Sequence, residues 1–199
     1  MIIPTRIFFL LVFPALLYTC APATTNDGVP ATETTPEHDH GAVETKARPL
    51  SPHTSAMGSI GDTHVHVDYS SPGKRGRMIW GGLVAYDRVW ATGAHNATSV
   101  NFSGPVRIDG REVAAGTYAL FTIPGREEWT IILNENYEQH LADDYDETRD
   151  VLRLRVRPEV LDHPVEALTY AVTATGGAAG TISMSWDSLR VSLPLTSLQ

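Results

Sequence analysis

His64 and His66 stand two residues apart, and a third imidazole, His95, closes the run Thr92-Gly93-Ala94-His95. Side chains alternate faces along a strand, so His64 and His66 share one face of any strand that carries them, with Cα atoms about 6.6 Å apart. Imidazoles converging at that spacing can close on a single transition-metal ion through bonds of about 2.0–2.1 Å. Neutral imidazole suits copper or zinc, and a loop histidine such as His95 would complete a three-nitrogen set. His53 and His140 are candidate fourth ligands. Asp68 continues the face of His64 and His66, which leaves open a two-histidine, one-carboxylate set of the kind that holds non-haem iron. The competing reading is that the strand histidines face solvent and His95 caps a loop.

Other residues carry weaker chemistry. Glu37-His38-Asp39-His40 is attractive to metals but lies in a polar stretch where loose binding is the simpler expectation. Asp143, Asp144, Asp146 and Asp150 lack the central glycine of an EF-hand loop. Ser51, Ser70 and Ser71 have no glycine-flanked nucleophile elbow, which argues against a serine hydrolase. Trp80, Tyr86, Trp90 and Trp129 could form a ligand platform, although aromatic residues of a β-sandwich more commonly fill its core. His163, before Pro164, is expected at the surface.

The first 19 residues read as a signal peptide, with Arg6 in the charged region and Ile7 to Leu17 as the apolar region. Leu17-Tyr18-Thr19-Cys20 resembles the lipobox of bacterial lipoproteins, in which the cysteine is lipidated, although Thr19 stands where Gly, Ala or Ser is usual. The apolar run is shorter than the roughly 20 residues of a spanning helix. Cys20 is the only cysteine, so no intramolecular disulfide is available. Ala21 and Pro22 follow it with no aspartate, which points to an outer-membrane lipoprotein exported to the cell envelope. Residues 20–52 are expected to be the lipidated cysteine and a flexible tether, being rich in Thr, Pro, Ala and acids.

Residues 53–199 suit one domain. With 15 Lys and Arg against 23 Asp and Glu, the chain carries a net charge of −8. That balance argues against nucleic acid as a partner and against attraction to anionic headgroups, so membrane association would rest on the lipid anchor. No protein partner can be read from the sequence.

The positions of these groups depend on strands. Val65, Val67 and Tyr69 alternate with His64, His66 and Asp68. Val106 and Ile108 lead into Asp109-Gly110, a strong hairpin signal. Tyr118 to Ile123, Trp129 to Leu133, Leu152 to Val156, Glu166 to Thr173, Thr181 to Trp186 and Leu189 to Leu193 supply further strands, with Pro124-Gly125 and Gly176-Gly177 as turns. Arg153, Arg155 and Arg157 fall opposite apolar partners, as on a solvated outer face. Tyr137 to Ala142 is the one short helix expected. The pattern predicts an all-β fold, an antiparallel β-sandwich or jelly-roll-like barrel.

The ordered blocks Tyr69-Ser70-Ser71-Pro72, Gly76 to Val84, Tyr86, Val89-Trp90, Thr92-Gly93-Ala94, Ala115 to Tyr118, Phe121 to Gly125, Glu128-Trp129-Thr130 and Asp150 to Arg153 resemble the bacterial family called domain of unknown function 2911. The resemblance implies a secreted or lipid-anchored β-domain and no particular activity. Where that family often carries Trp-Arg-Thr-Gly-Ala-Asn-Glu-Ala-Thr, this chain reads Trp90-Ala91-Thr92-Gly93-Ala94-His95-Asn96-Ala97-Thr98. Ser51-Pro52-His53 likewise replaces a more familiar Ser-Pro-Arg. The chain thus looks like a histidine-bearing branch, to which any role of the missing Arg and Glu does not transfer.

Three functions fit. The first is an envelope lipoprotein binding copper or zinc through His64, His66, His95, His53 and His140. The second is a metalloenzyme that keeps an open coordination position in the same cluster. The third is a metal-free β-sandwich module binding a ligand or protein.

Overall fold

The computed structural model describes residues 49–198. The signal peptide, Cys20 and the tether up to residue 48 lie outside the described residues.

Among the described residues, ten strands form two antiparallel sheets. The larger has the order β1-β2-β3-β6-β7-β8, from β1 (His53–Ile60), β2 (Thr63–Ser70), β3 (Ser99–Phe102), β6 (Gly116–Ile123), β7 (Trp129–Asn134) and β8 (Asp150–Val156). The smaller has the order β5-β4-β10-β9, from β4 (Val106–Ile108), β5 (Arg111–Val113), β9 (Glu159–Gly176) and β10 (Ala179–Ser197). The expected β-sandwich is therefore the fold. Alternation drives it: Val65, Val67 and Tyr69 of β2 point inward and are buried, whereas His64 is exposed and His66 and Asp68 are partly exposed. The facing sheet contributes Leu168, Tyr170, Ile182, Met184, Trp186 and Val191 to the same core. Burying such side chains contributes about 1.5–3 kcal/mol each before the entropy of ordering is set against it.

The Asp109-Gly110 turn joins β4 to β5 with φ of +49° and +75°, the two positive values that a type I′ turn requires. The sequence expectation of separate strands at Thr181–Trp186 and Leu189–Leu193 gives way to one long β10. Its pairing with β9 shifts register between Ser185 and Asp187 and again between Asp187 and Leu189. Such bulges bend a strand without ending it.

All four tryptophans meet at one end of the core. Trp80 lies edge-on to Trp129 at 4.8 Å and to Trp90 and Trp186 at 6.0 Å, and Trp90 stacks on Trp186 at 5.9 Å. Trp129 and Trp186 are fully buried, as core aromatics.

A second, smaller cluster lies on the outer face of the large sheet, where Ala119, Phe121 and Ile132 are buried under Ala91 and Ala97. Val89, Leu141, Ala142 and Tyr145 pack around it. The loops that contribute these residues cover part of that face and leave the β1–β2 part open. The short helix expected over Tyr137 to Ala142 is absent; the segment is a loop. Leu141 takes φ +50° and its N–H donates to His95 O at 2.7 Å, so tertiary pairing takes the place of helical bonds. Thr45–Gln199 forms a compact unit that contains both apolar clusters, so this unit carries its own core.

Candidate functional site

The open part of the outer face begins with register. β1 and β2 pair so that His53 faces Ser70 and Ser55 faces Asp68, while Ser99 of β3 flanks Asp68 on the other side. His53 Nε2 comes within 2.9 Å of Asp68 Oδ1. No N–H is aligned on that oxygen, which is buried without a hydrogen-bond partner, so the contact is one of proximity. His66 Nε2, one face-mate along β2, is likewise buried without a partner.

The opposite wall is the segment 135–142, held in place by polar bonds from below. Asn134 is fully buried; its Nδ2 donates to Asp146 O at 2.9 Å and Asp150 Oδ1 at 2.7 Å, and its Oδ1 accepts from Asn136 N at 2.8 Å. Gln139 donates to Asn136 O at 2.6 Å and accepts from Asp144 N at 3.2 Å. Tyr145 OH donates to Asp150 Oδ2 at 2.7 Å; burial first, and then that bond, push its phenol above the ordinary value.

Between these walls lies a cleft of about 500 Å³ lined by His53, Asp68, Ser70, Asn96, Ser99, Tyr137, Glu138 and His140 among others. No Lys or Arg lines it, whereas Asp68 and Glu138 do. His140 Nδ1 lies 2.9 Å from Asp143 Oδ2, leaving Nε2 as its unengaged ring nitrogen. A carboxylate on one ring nitrogen fixes the tautomer and orients the other, whether toward a ligand proton or a metal. The cleft therefore offers convergent donors and acceptors with a negative bias.

The five expected histidines are not gathered at one point. His53 and His140 line the cleft, but His64, His66 and His95 are not among its lining residues. His64 and His66 do share one strand face. His95 belongs to a loop that leaves the line beside β6 at Trp90 and rejoins it at Thr98, closed by Thr98 N donating to Ala91 O at 3.2 Å. That loop continues from Ser99, which pairs with Asp68, so it lies toward the Ser70 end of β2. His64 is at the other end, about 13 Å along the strand from Asp68. Among the described residues, no group of three or more His, Cys, Asp and Glu could hold a metal ion. The three-histidine arrangement expected from spacing is thus not assembled, because spacing along β2 says nothing about which end its neighbouring loop reaches.

Glu138, Ser99 and Asn96 carry no local sign of convergence in the sequence. Their signal is the β2–β3 register and the Asn96–His140 bridge, both long-range. Arg153 and Arg155 are exposed and face Glu147, Asp150 and Glu128, as expected of a solvated face.

A family model described as protein of unknown function (DUF2911) matches residues 51–195, and the chain belongs to that family. No curated protein and no solved structure matches the chain.

Proposed function

We propose that this member of the DUF2911 family is a ligand-binding module of the bacterial cell envelope, anchored through a lipid on Cys20, whose site is the polar cleft between β2 and the 135–142 wall. The observation that carries the reading is the cleft itself: about 500 Å³ bounded by side-chain donors and acceptors on a braced scaffold. That volume lies within the range of small-molecule sites, and the mostly polar lining suits a polar ligand over an apolar one. The carboxylates of Asp68 and Glu138, with no Lys or Arg among the lining, favour a small cationic, hydrogen-bonding ligand. Titrating ¹⁵N-labelled residues 45–199 with ethanolamine tests this. Saturable shifts confined to β2 and the 135–142 wall, lost in Asp68→Asn, support the reading, and their absence overturns it. Release of Cys20→Ala into the soluble envelope fraction supports the anchor.

A second reading is favoured by the buried, unpartnered His66 Nε2 and Asp68 Oδ1 on one strand face. Copper or zinc would then be the ligand, drawing His53, His66 and Asp68 together on binding. Elemental analysis of untagged residues 45–199 and a Zn²⁺ titration test it. One ion per domain, lost in His66→Ala, supports the metal; no stoichiometric ion removes it.

A further inference from the structure

The loops that wall the polar cleft also wall a second one of opposite character. Asn96 and His140 face the first cleft, whereas Ala94 and Leu141, in the same two loops, line the second. The two loops are paired by Leu141 N donating to His95 O at 2.7 Å and Ala97 N donating to Gln139 O at 3.0 Å.

This second cavity measures about 310 Å³ and is bounded by Trp90, Trp186, Leu83 and Leu141, with Arg75 and Arg77 also lining it. The apolar side is large: Leu83 is 50% exposed and the neighbouring Met78 is 73% exposed. The two guanidinium groups have no ion pair among the described residues. Arg77 is held by its own turn, with Nη2 donating to Gly73 O at 2.6 Å and Nε to Lys74 O at 3.1 Å. Those bonds fix the planar group and leave other N–H donors of the fork unspent. Arg75 engages Glu166 through its backbone N–H at 2.7 Å, and its side chain has no hydrogen bond among the described residues. The nearby Lys74 is paired with Asp187, so the unspent positive charge at this cavity belongs to the two arginines.

An apolar cavity with one fixed and one unengaged guanidinium selects a ligand with an apolar body and an anionic end. Burying the body removes apolar surface from water, and a carboxylate can meet the guanidinium fork through charge-assisted hydrogen bonds. We propose that this cavity is a binding site for small carboxylates bearing an aromatic or aliphatic group, distinct from the polar cleft and independent of what that cleft binds.

Trp90 and Trp186 line the cavity and stack on each other, and Trp80 packs edge-on against both, so intrinsic fluorescence reports on occupancy. Residues 45–199 are titrated with 4-phenylbutyrate, with 4-phenylbutanol as the uncharged counterpart. Saturable change with the acid, at least tenfold weaker for the alcohol, is expected. Arg75→Ala, at an exposed position with no side-chain bond to lose, should weaken the acid at least tenfold, and Arg75→Lys should restore part of the loss. Asp68→Asn, on β2 and outside the shared loops, should leave this titration unchanged while it alters the polar cleft, so failures of the two readings are separable. Equal affinity for acid and alcohol, no saturable change, or an Arg75→Ala variant that binds as the parent does while retaining its circular dichroism would each overturn the proposal.

Discussion

The N–H of Leu141 donates to the carbonyl of His95 at 2.7 Å, with both residues in left-handed backbone conformations, φ +50° and +64°. Together with the bond from Ala97 N to Gln139 O, it joins the β2–β3 loop to the β7–β8 loop, and a wall of each cleft hangs on that junction. Left-handed backbone is tolerated by glycine and asparagine but is a genuine outlier for a β-branched residue. His95→Val should therefore destabilise the domain by about 1–2 kcal/mol, whereas His95→Gly should stay within about 1 kcal/mol of the parent. Chemical denaturation of residues 45–199 measures both. Equal loss in the two variants would assign the cost to the imidazole and not to the backbone.

Gly110 isolates the same physics without packing. Its φ is +75° and a Cβ there would meet nothing within 4 Å, so Gly110→Ala carries only the backbone term. The expected loss is about 1 kcal/mol in the same denaturation experiment. A loss above about 3 kcal/mol would mean the β4–β5 hairpin had come apart.

These two positions mark what was legible in the chain and what was not. Asp109-Gly110 announced its turn because the chemistry is local: two residues that accept positive φ between alternating strands. Val65, Val67 and Tyr69 announced their face for the same reason. β1 was not foreseen, since His53-Thr54-Ser55-Ala56-Met57-Gly58-Ser59 carries almost no large apolar residue, as befits a mostly exposed edge strand. β3 is only four residues long and offers too little pattern to read. Of the candidate site, the shared face of His64 and His66 followed from period two, but the partner of that face is set by a loop. Glu138 and His140 reach the cleft through a bridge to Asn96, a contact across more than 40 residues that no local pattern encodes.

Raising the pH should unfold the domain more readily than its carboxylates suggest. Burial pushes the Tyr170 phenol above its ordinary value of 10.0, and burial with the Asp150 bond does the same for Tyr145. A group whose folded pKa is raised holds its proton more tightly when folded. Its contribution is complete below the unfolded value of 10.0 and is lost as pH climbs beyond it. Thermal melts should be insensitive to these two groups between pH 7 and 9 and should fall from about pH 10 upward. In Tyr145→Phe the alkaline fall should be shallower, although the melting point at pH 7 drops through loss of the bond to Asp150. An alkaline limb as steep in the variant as in the parent would remove Tyr145 from this account.

Asn134 links stability to the polar cleft most directly. It is fully buried at the end of β7, and its amide supplies donors to Asp146 O and Asp150 Oδ1 and an acceptor to Asn136 N. Asn134→Ala removes all of these bonds at once and leaves the Asp150 carboxylate with less to hold it. Each buried group deprived of its partner costs about 1–3 kcal/mol, so a loss of about 3 kcal/mol or more is expected. The larger effect should be local, because Asn136 and Gln139 are ordered in series from this side chain. Hydrogen exchange of amides 136–145 should quicken in Asn134→Ala even at temperatures where β2 and β10 remain protected. Asn134→Asp is the sharper companion, since it replaces the donor facing Asp150 with a second carboxylate. It should destabilise the wall most at neutral pH and recover as the pH falls and one of the pair takes up a proton. Unchanged exchange at 136–145 in both variants would show that the wall is braced from elsewhere, and the cleft would then have to be explained without Asn134.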